Sequence, residues 1–412
     1  MACWRSAMTH DPAERLRSLL GRDAVEQKAT GIPYVTPDSA EGVAMACRVA
    51  AEEGWTVRVE GNGTWLPPDA DADFAVSTRA LDRAVDISPA DLMATVQAGT
   101  SLESLRRQAA DLGMWLPLDP PGRPDRTIGS IVATGTAGAL RAGLGPIRDH
   151  VLGCTVVAGD GRRLTSGGRV MKNVAGYDLT KLHVGAFGGF GIITDLHLRL
   201  RALPSADVTL TARADRDVLT FNARVLGEAG LQCSALELLS PAVAARADWT
   251  LAARLLGTES AVAATVAEIQ RAGDLAWQEL PPDESAAFWG SVNRAWLGGA
   301  VTLRLGALAD SVDDTIDLLA GLLDEQLVSA GAATGGIRWS GSAEPDQLLT
   351  LRHRAAEREI PVTLERAPWR VRQRVGHFGA YREGVGNLVW RLRETFDPRA
   401  CLRVALEEAR GG

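Results

Sequence analysis

Glycine placement constrains this chain more than any other feature. It has 43 glycines in 412 residues, and they crowd into the stretch 117–203, where strong helix signals are few. Glycine reaches positive φ without strain and lets a backbone come close to another group. A stretch so rich in it disfavours long helices and suits short strands joined by tight turns. The apolar runs VLGCTVVAG (151–159) and FGIITDLHLRL (190–200) read as such strands. Two uses of the glycines stay open at this level: turns of an ordinary sheet, or a groove cradling a phosphate-bearing cofactor.

Composition narrows the classes. Hydrophobic residues are 46% and charged residues 23%, the balance of a globular protein with room for two or three domains. A net charge of -7 argues against a nucleic-acid binder and against anchoring on an anionic membrane. No apolar run is long enough for a transmembrane helix, and MACWRSAMTHDPAERL lacks the pattern of a signal peptide, so a cytoplasmic location is expected. The five cysteines (Cys3, Cys47, Cys154, Cys233, Cys401) form no CxxC pair, and the six histidines show no HExxH spacing. No metal site is expected. Lysine occurs only at 28, 172 and 181, and asparagine only five times, so the pair Lys172-Asn173 stands against the bias of the chain. A specific side-chain requirement is the favoured explanation.

Elements follow from periodicity. Residues 11–28 and 38–53 read as amphipathic helices, the second capped by Asp38 or Ser39 and closed by Gly54. Residues 55–61, 74–81 and 93–99 read as strands and 101–112 as a helix. After Pro204, strands are expected near 207–212, 234–239, 249–256, 300–308 and 335–340. Helices are expected near 214–229, 258–272, 311–329, 344–358 and 383–396. That alternation suggests an α+β layer of ferredoxin-like type over 204–360, preceded by a helical segment 1–30 and a unit 31–203. An Arg-rich segment 361–412 would pack back on the first unit. No internal sequence repeat is visible.

Five motifs could carry chemistry. In VRVEGNGT (57–64), a strand feeds a Gly-x-Gly-Thr turn whose successive N–H groups suit an anion, with Thr64 as an added donor. It is neither a Walker A loop nor a Rossmann fingerprint. The others are DPP at 119–121 with TIGSIVATG (127–135), GPIRDHVLG (145–153), GRVMKNVAGYDL (168–179) and GAFGGFGIIT (185–194). Each is weak alone. Arg366, Arg370, Arg372, Arg374 and His377 form a late cluster, either a carboxylate site or, as favoured, a solvated face or subunit contact.

In order and spacing the five motifs resemble the FAD-binding domain of the vanillyl-alcohol-oxidase/p-cresol-methylhydroxylase superfamily, the PCMH type. Within it, GGRVMKNVAGYDLTKLHVGAFGGFGIIT resembles the FAD-binding (E) subunits of glycolate oxidase. The resemblance covers about 31–203, is looser over 204–360, and returns faintly at Phe396-Asp397-Pro398. It implies an α+β fold: a two-subdomain PCMH-type FAD-binding domain followed by a ferredoxin-like cap. It implies that Glu60, Gly61, Asn62, Gly63 and Thr64 hold the FAD pyrophosphate. Thr127, Ile128, Gly129, Ser130 and Ile131 would extend the cradle, and Ala133, Thr134 and Gly135 would line the flavin or ribityl chain. Pro121 would lie near the isoalloxazine, and Ile147, Arg148 and Asp149 beneath the cofactor. Gly189, Gly191, Ile192 and Ile193 would approach the adenosine. Lys172, Asn173, Tyr177 and Asp178 would sit close to the flavin or order its loop.

Departures shape the rest of the expectation. Covalently flavinylated relatives carry a histidine in the phosphate turn; here Asn62 or Thr64 stands there, so the resemblance implies non-covalent FAD. Gly185-Ala186-Phe187-Gly188 replaces the usual Gly-Ser-Glu-Gly, and the histidine-rich GDGN-type motif of catalytic subunits is missing. No residue stands out as a catalytic base. The expected role is an FAD-binding subunit of a glycolate oxidase-like complex. It would oxidise a 2-hydroxy acid such as glycolate or D-lactate beside a second flavoprotein subunit and an iron–sulfur subunit. It would be cytoplasmic, or peripheral at the inner membrane through those partners. A stand-alone oxidoreductase of a 2-hydroxy acid or alditol and a non-catalytic scaffold are the alternatives.

Overall fold

A computed structural model describes residues 11–27, 31–169, 178–324, 327–379 and 384–404. Two small sheets come first. One is built from β1 (Val25–Gln27), β2 (Pro33–Val35), β3 (Val57–Glu60) and β4 (Phe74–Ser77), in the order β1-β2-β4-β3. Both β2 and β3 run parallel to β4. The helix Ala40–Glu53 covers this sheet. Ser39 caps it by accepting from the Gly42 N–H, and Gly54, at φ 71°, ends it. Its face of Val43, Ala46, Cys47 and Ala50 packs on Val35, Val57, Phe74 and Val76. The chain returns to this core near its end, where Cys401 and Leu402 are buried and Leu402 bridges Val57. The first helix is shorter than expected. It spans Pro12–Leu20 because Gly21, at φ 90°, turns the chain out into β1.

The second sheet is antiparallel and holds β5 (Ala84–Ser88), β6 (Met93–Gln97), β7 (Val151–Val157), β8 (Arg163–Gly167) and β9 (Ile192–Arg199). Its order is β5-β6-β9-β7-β8. Helix Leu102–Ala110 packs against it, and so does a seven-residue helix, Ile128–Thr134, that the glycine content had hidden. Thr127 caps that short helix and Gly135, at φ 61°, closes it. Gly129 lies so near Ala98 that a Cβ there would stand 2.7 Å from the Ala98 methyl. Here a glycine serves close packing of a helix, not a loop.

The third sheet has eight antiparallel strands: β10 (Ala206–Arg213), β11 (Ala235–Leu239), β12 (Thr250–Gly257), β13 (Gln278–Leu280), β14 (Val301–Gly306), β15 (Leu327–Gly331), β16 (Gly336–Gly341) and β17 (Val362–Arg366). Their order is β13-β10-β12-β11-β15-β16-β14-β17. Each half is a ferredoxin-like βαββαβ unit, and the two join edge to edge through β11 and β15. The repeat lies in the topology and not in the sequence. The expected helix 311–329 is in fact Val312–Leu322 followed by β15. Leu323 leaves helical geometry at φ -129°, ψ 147°, and the apolar residues beyond it pair as a strand.

Strand alternation sorts the two faces of this sheet. Leu236, Leu238, Leu303, Leu305, Ile337 and Trp339 point to a core under helices Arg216–Glu228, Glu259–Arg271, Val312–Leu322 and Pro345–Ala356. The residues between them point the other way, toward the first two sheets. There Ala235, Leu239 and Ala252 meet Trp65, Ala139, Leu140, Trp289 and Trp296. On the same face stand Glu237, Arg304, Ser329, Arg338 and Glu365. Arg338 donates to Glu365 from Nε at 2.9 Å and Nη2 at 3.3 Å, and Arg304 Nε lies 3.1 Å from the same carboxylate. Glu365 is fully buried. Removing one partner from a buried ion pair leaves an uncompensated charge, at a cost of about 3–5 kcal/mol. Glu365→Gln is therefore expected to destabilise by that order. Thermal unfolding of the variant checks it, and an unchanged midpoint would mean that the network is not needed at the seam.

Candidate functional site

A cleft opens between the first two sheets, where β3 runs into the turn 60–64. Glu60, Gly61, Gly63 and Thr64 line one side, with Gly129, Ser130, Ala133 and Thr134 on the floor. Phe187, Gly188, Gly191, Ile192 and Ile193 form the far wall, and Trp65 and Leu66 lie at the end toward the large sheet. The cleft spans about 660 Å³ of space, part of it open to solvent. The turn is held from behind. The Ser77 hydroxyl donates to the Gly61 carbonyl, the Thr78 N–H to the Glu60 carbonyl, and the Asn62 amide to the Asp125 carbonyl at 2.7 Å. Among the described residues, none of the N–H groups of Gly61, Asn62, Gly63 and Thr64 donates to a protein acceptor. Gly63 sits at φ 67°, and a Cβ on Gly61 would stand 2.2 Å from the Thr127 hydroxyl. Four consecutive free donors at a glycine turn form an anion cradle.

The short helix contributes differently from expectation. The N–H groups of Ile128, Gly129 and Ser130 are already taken by the Thr100 carbonyl, the Ala98 carbonyl and the Thr127 hydroxyl. Its small side chains floor the cleft while its N–H groups serve the fold. Ile128 and Ile131 face the core of the second sheet, as does Ile147. Arg148 and Asp149 form an exposed pair 4.0 Å apart, outside the cleft, because their 3-10 turn buries only Ile147. Pro121 is buried at the seam, with its carbonyl accepting from Arg126 Nη1 at 2.8 Å. Gly135 backs against Gly185, and Gly189 lies in the turn beside the cleft wall. Lys172, Asn173 and Tyr177 lie outside the described residues.

Sequence reading missed the second half of the site. Segment 133–142 leaves the cleft floor and enters a chamber under the large sheet, with about 560 Å³ of space, part of it open to solvent. Arg141, Gly138 and Ala139 of that segment face Glu237, Arg304, Ser329 and Arg338 of the sheet, with Asn293 and Trp296 at the side. Arg338 Nη2 also donates to the Ala137 carbonyl at 2.8 Å, which fixes segment to sheet. Burial pushes the Glu237 carboxyl up to about 8, with Arg338 and the Ser329 hydroxyl opposing. Nearby Asp119, buried and holding the Leu140 N–H, is pushed up to about 6 for the same reason. Arg126 is buried against the Trp65 ring, 4.5 Å from its centroid, and burial lowers it to about 9. The missed signal was the alternation of ALELL, VTLRLG and GIRWSG, where single charges interrupt apolar strands.

The late arginines act as staples between the parts. Arg366 Nε donates to the Trp65 carbonyl at 3.1 Å, and Trp65 Nε1 donates to the Glu365 carbonyl. Arg372 reaches the Pro67 carbonyl and Asp69, and Arg374 pairs with Asp346. None of the cluster lines the chamber. His377 stacks on Phe187 at 3.9 Å and bonds the Leu364 carbonyl. Burial lowers His377 to about 3. A histidine whose folded pKa lies below its unfolded value supports the fold fully above about pH 6.5, and the support is lost as pH falls. Between pH 6.5 and 4.5 that loss is about 2 kcal/mol. His377→Phe, which keeps the stack, is expected to lose less thermal stability than the parent between pH 7 and 4.5. Equal slopes would show that His377 does not carry the acid sensitivity.

Comparison with known proteins agrees with this geometry. Residues 33–167 match the family model described as an FAD binding domain. The chain is 39% identical to glycolate oxidase subunit GlcE of Escherichia coli over 127 residues, 31% of this chain and 36% of that protein. It is 28% identical to a probable mitochondrial D-lactate dehydrogenase of Danio rerio over 68% of this chain and 60% of that protein. With glycolate oxidase subunit GlcD of Bacillus subtilis it shares 29% identity over 43% of this chain and 38% of that one. The chain thus spans between about a third and three fifths of these relatives. Among solved structures, a 4-ethylphenol oxidase from Gulosibacter chungangensis covers 94% of each chain with a TM-score of 0.72 and 14% identity. An alkyldihydroxyacetonephosphate synthase covers 97% of this chain with a TM-score of 0.70. These two establish the fold. The free donors of turn 60–64 and the small-residue floor fit a dinucleotide, and the chain carries an FAD binding domain over residues 33–167, with FAD as its cofactor.

Proposed function

We infer that the chain is an FAD-dependent oxidoreductase of 2-hydroxy acids and the FAD-binding subunit of a glycolate oxidase-like complex. The observation that carries this reading is one continuous segment, 133–142, which floors the cofactor cleft at one end and lines an arginine-walled chamber at the other. FAD would be held non-covalently in the cleft, since Asn62 or Thr64 stands where covalently flavinylated relatives carry a histidine. The N–H groups of Gly61 to Thr64 would hold the pyrophosphate, with the Thr64 hydroxyl as a further donor. When bound, FAD supplies the acceptor for the hydride of the substrate α-carbon.

The chain itself has three tasks. Arg141, Arg304 and Arg338 attract and orient the substrate carboxylate. A guanidinium fork suits a carboxylate, and Arg141 makes no ion pair among the described residues. Trp65, Trp289 and Trp296 keep water from the seam. Segment 133–142 sets the distance between acid and cofactor. Electrons then leave for an iron–sulfur partner. Among the described residues, no group of three or more His, Cys, Asp or Glu is placed to hold a metal ion. The likeness to a D-lactate dehydrogenase over 68% of the chain supports a second reading, a self-sufficient dehydrogenase.

Absorption spectroscopy of the purified full chain tests the cofactor. A flavin band released wholly by acid precipitation is expected, and a band kept in the pellet would refute non-covalent binding. Gly61→Ala, whose methyl would collide with Thr127, is expected to lower flavin content more than tenfold; full retention would remove the turn from the site. Anaerobic bleaching by glycolate or D-lactate tests the substrate class. Arg141→Gln is expected to raise the KM for the acid by about 10-fold to 100-fold with flavin content unchanged, the scale of one charge-assisted contact. An unchanged KM would place the carboxylate elsewhere.

A further inference from the structure

Glu237 is a buried acid whose obvious partners are engaged elsewhere. It sits in β11 between Ala235 and Leu239 on the seam face and lines the chamber. No cation of the described residues approaches it within ion-pair distance, because Arg338 is bound to Glu365 and to the Ala137 carbonyl. The Ser329 hydroxyl of β15, the neighbouring strand, favours its charged form. Gly331 faces it across the same strand pair, and a Cβ there would stand 3.3 Å from Oε1. Two strands therefore make room for this carboxylate and hold it without neutralising it. Burying an ionisable group in this way costs free energy, and such a group in a ligand chamber marks a proton-transfer position.

We propose that Glu237 is the catalytic base that takes the hydroxyl proton of a 2-hydroxy acid held by Arg141, Arg304 and Arg338. This rests on the substrate class inferred above. The O–H bond breaks and its proton passes to an oxygen of Glu237. The electron pair left on the substrate oxygen forms the carbonyl π bond, while the α C–H pair leaves as hydride to the bound flavin. The product is a 2-oxo acid, with one proton on Glu237 and two electrons on the cofactor. The groups facing Glu237 are Arg338 and Arg304 from the sheet, Ser329 of the neighbouring strand, Asp119 from a facing loop and Arg141 from the short helix Arg141–Leu144. Burial and Asp119 hold its proton on, Arg338 and Ser329 oppose them, and the balance near 8 suits a base working at mildly alkaline pH.

The test uses the full chain loaded with FAD, with glycolate and D-lactate as probes. Calorimetry reads acid binding, and anaerobic stopped-flow bleaching reads the rate between pH 6 and 9.5. For the parent, the rate is expected to rise with pH through about 8. For Glu237→Gln, affinity is expected to stay within threefold while the rate falls at least 100-fold and loses that ionisation, the usual weight of a general base. Ser329→Ala removes a bond that favours the charged form, so its profile is expected to shift to higher pH; this variant decides the matter if Glu237→Gln does not fold. A Glu237→Gln rate within tenfold of the parent, an equal loss of binding and rate, or an unmoved Ser329→Ala profile overturns the assignment. Binding without bleaching in the parent overturns it too, with the carboxylate site intact. A parent that binds neither acid overturns the substrate class, and this role with it.

Discussion

Two arginines of one sheet face share a single buried glutamate, and the seam of the molecule is organised around that shortage. Arg304 and Arg338 are direct cross-strand neighbours in β14 and β16, and Glu365 of β17 lies within reach of both. Like charges opposed on a sheet repel each other, so the arrangement holds only with the carboxylate between them. One negative charge does not satisfy two guanidinium groups, and the remainder of their donors must find other acceptors. Arg338 finds the Ala137 carbonyl, which pins the segment that connects cleft to chamber. The backbone of the same glutamate accepts from Trp65, the residue next to the glycine turn 60–64. A single side chain and its carbonyl thus fix the large sheet to both ends of the candidate site.

The cleft and the chamber are consequently one device with different physics at each end. The cleft works by backbone: unclaimed N–H groups, glycines that no other residue could replace, and a floor of small side chains. Side chains do the work in the chamber, where a low-dielectric seam makes every charge count for more than it would in water. Arg126 marks the transition. It bonds the Pro121 carbonyl and the Thr134 hydroxyl and lies on the Trp65 ring. Its burial costs free energy that only this dense set of partners offsets.

What the sequence made legible follows from the length scale of each signal. Capped helices and alternating strands are local, so Ala40–Glu53, Leu102–Ala110 and most strands of the large sheet lay close to expectation. The turn 60–64 was legible because a strand followed by Gly-x-Gly-Thr is a local pattern with a chemical use. Helix Ile128–Thr134 was hidden because its glycine and serine carry poor helix propensity, and packing against Ala98 overrides it. The break at Leu323 was hidden because apolar residues continue across it, and only pairing with β16 decides that Leu327–Gly331 is a strand. The charges that line the chamber come from three separate strands and one short helix, so no window of sequence holds them together. Their trace was the lone polar residue inside each apolar strand, readable only once the two faces of the sheet are known.

The doubled topology of the large sheet explains why a site forms where it does. Each βαββαβ unit would end on an exposed strand, β11 in one and β15 in the other, with unsatisfied backbone groups along it. Pairing β11 with β15 removes both edges and places Glu237 beside Ser329, residues from different units, on the seam face. The same junction aligns β16 and β14 of the second unit next to the first, so the arginines lie within one chamber of the glutamate. Arg304 and Arg338 come from the second unit and Glu237 from the first, so the chamber draws on both. The sheet acquires a chemically mixed pocket by joining two edges, and the helices on its other face are free to remain an ordinary apolar core.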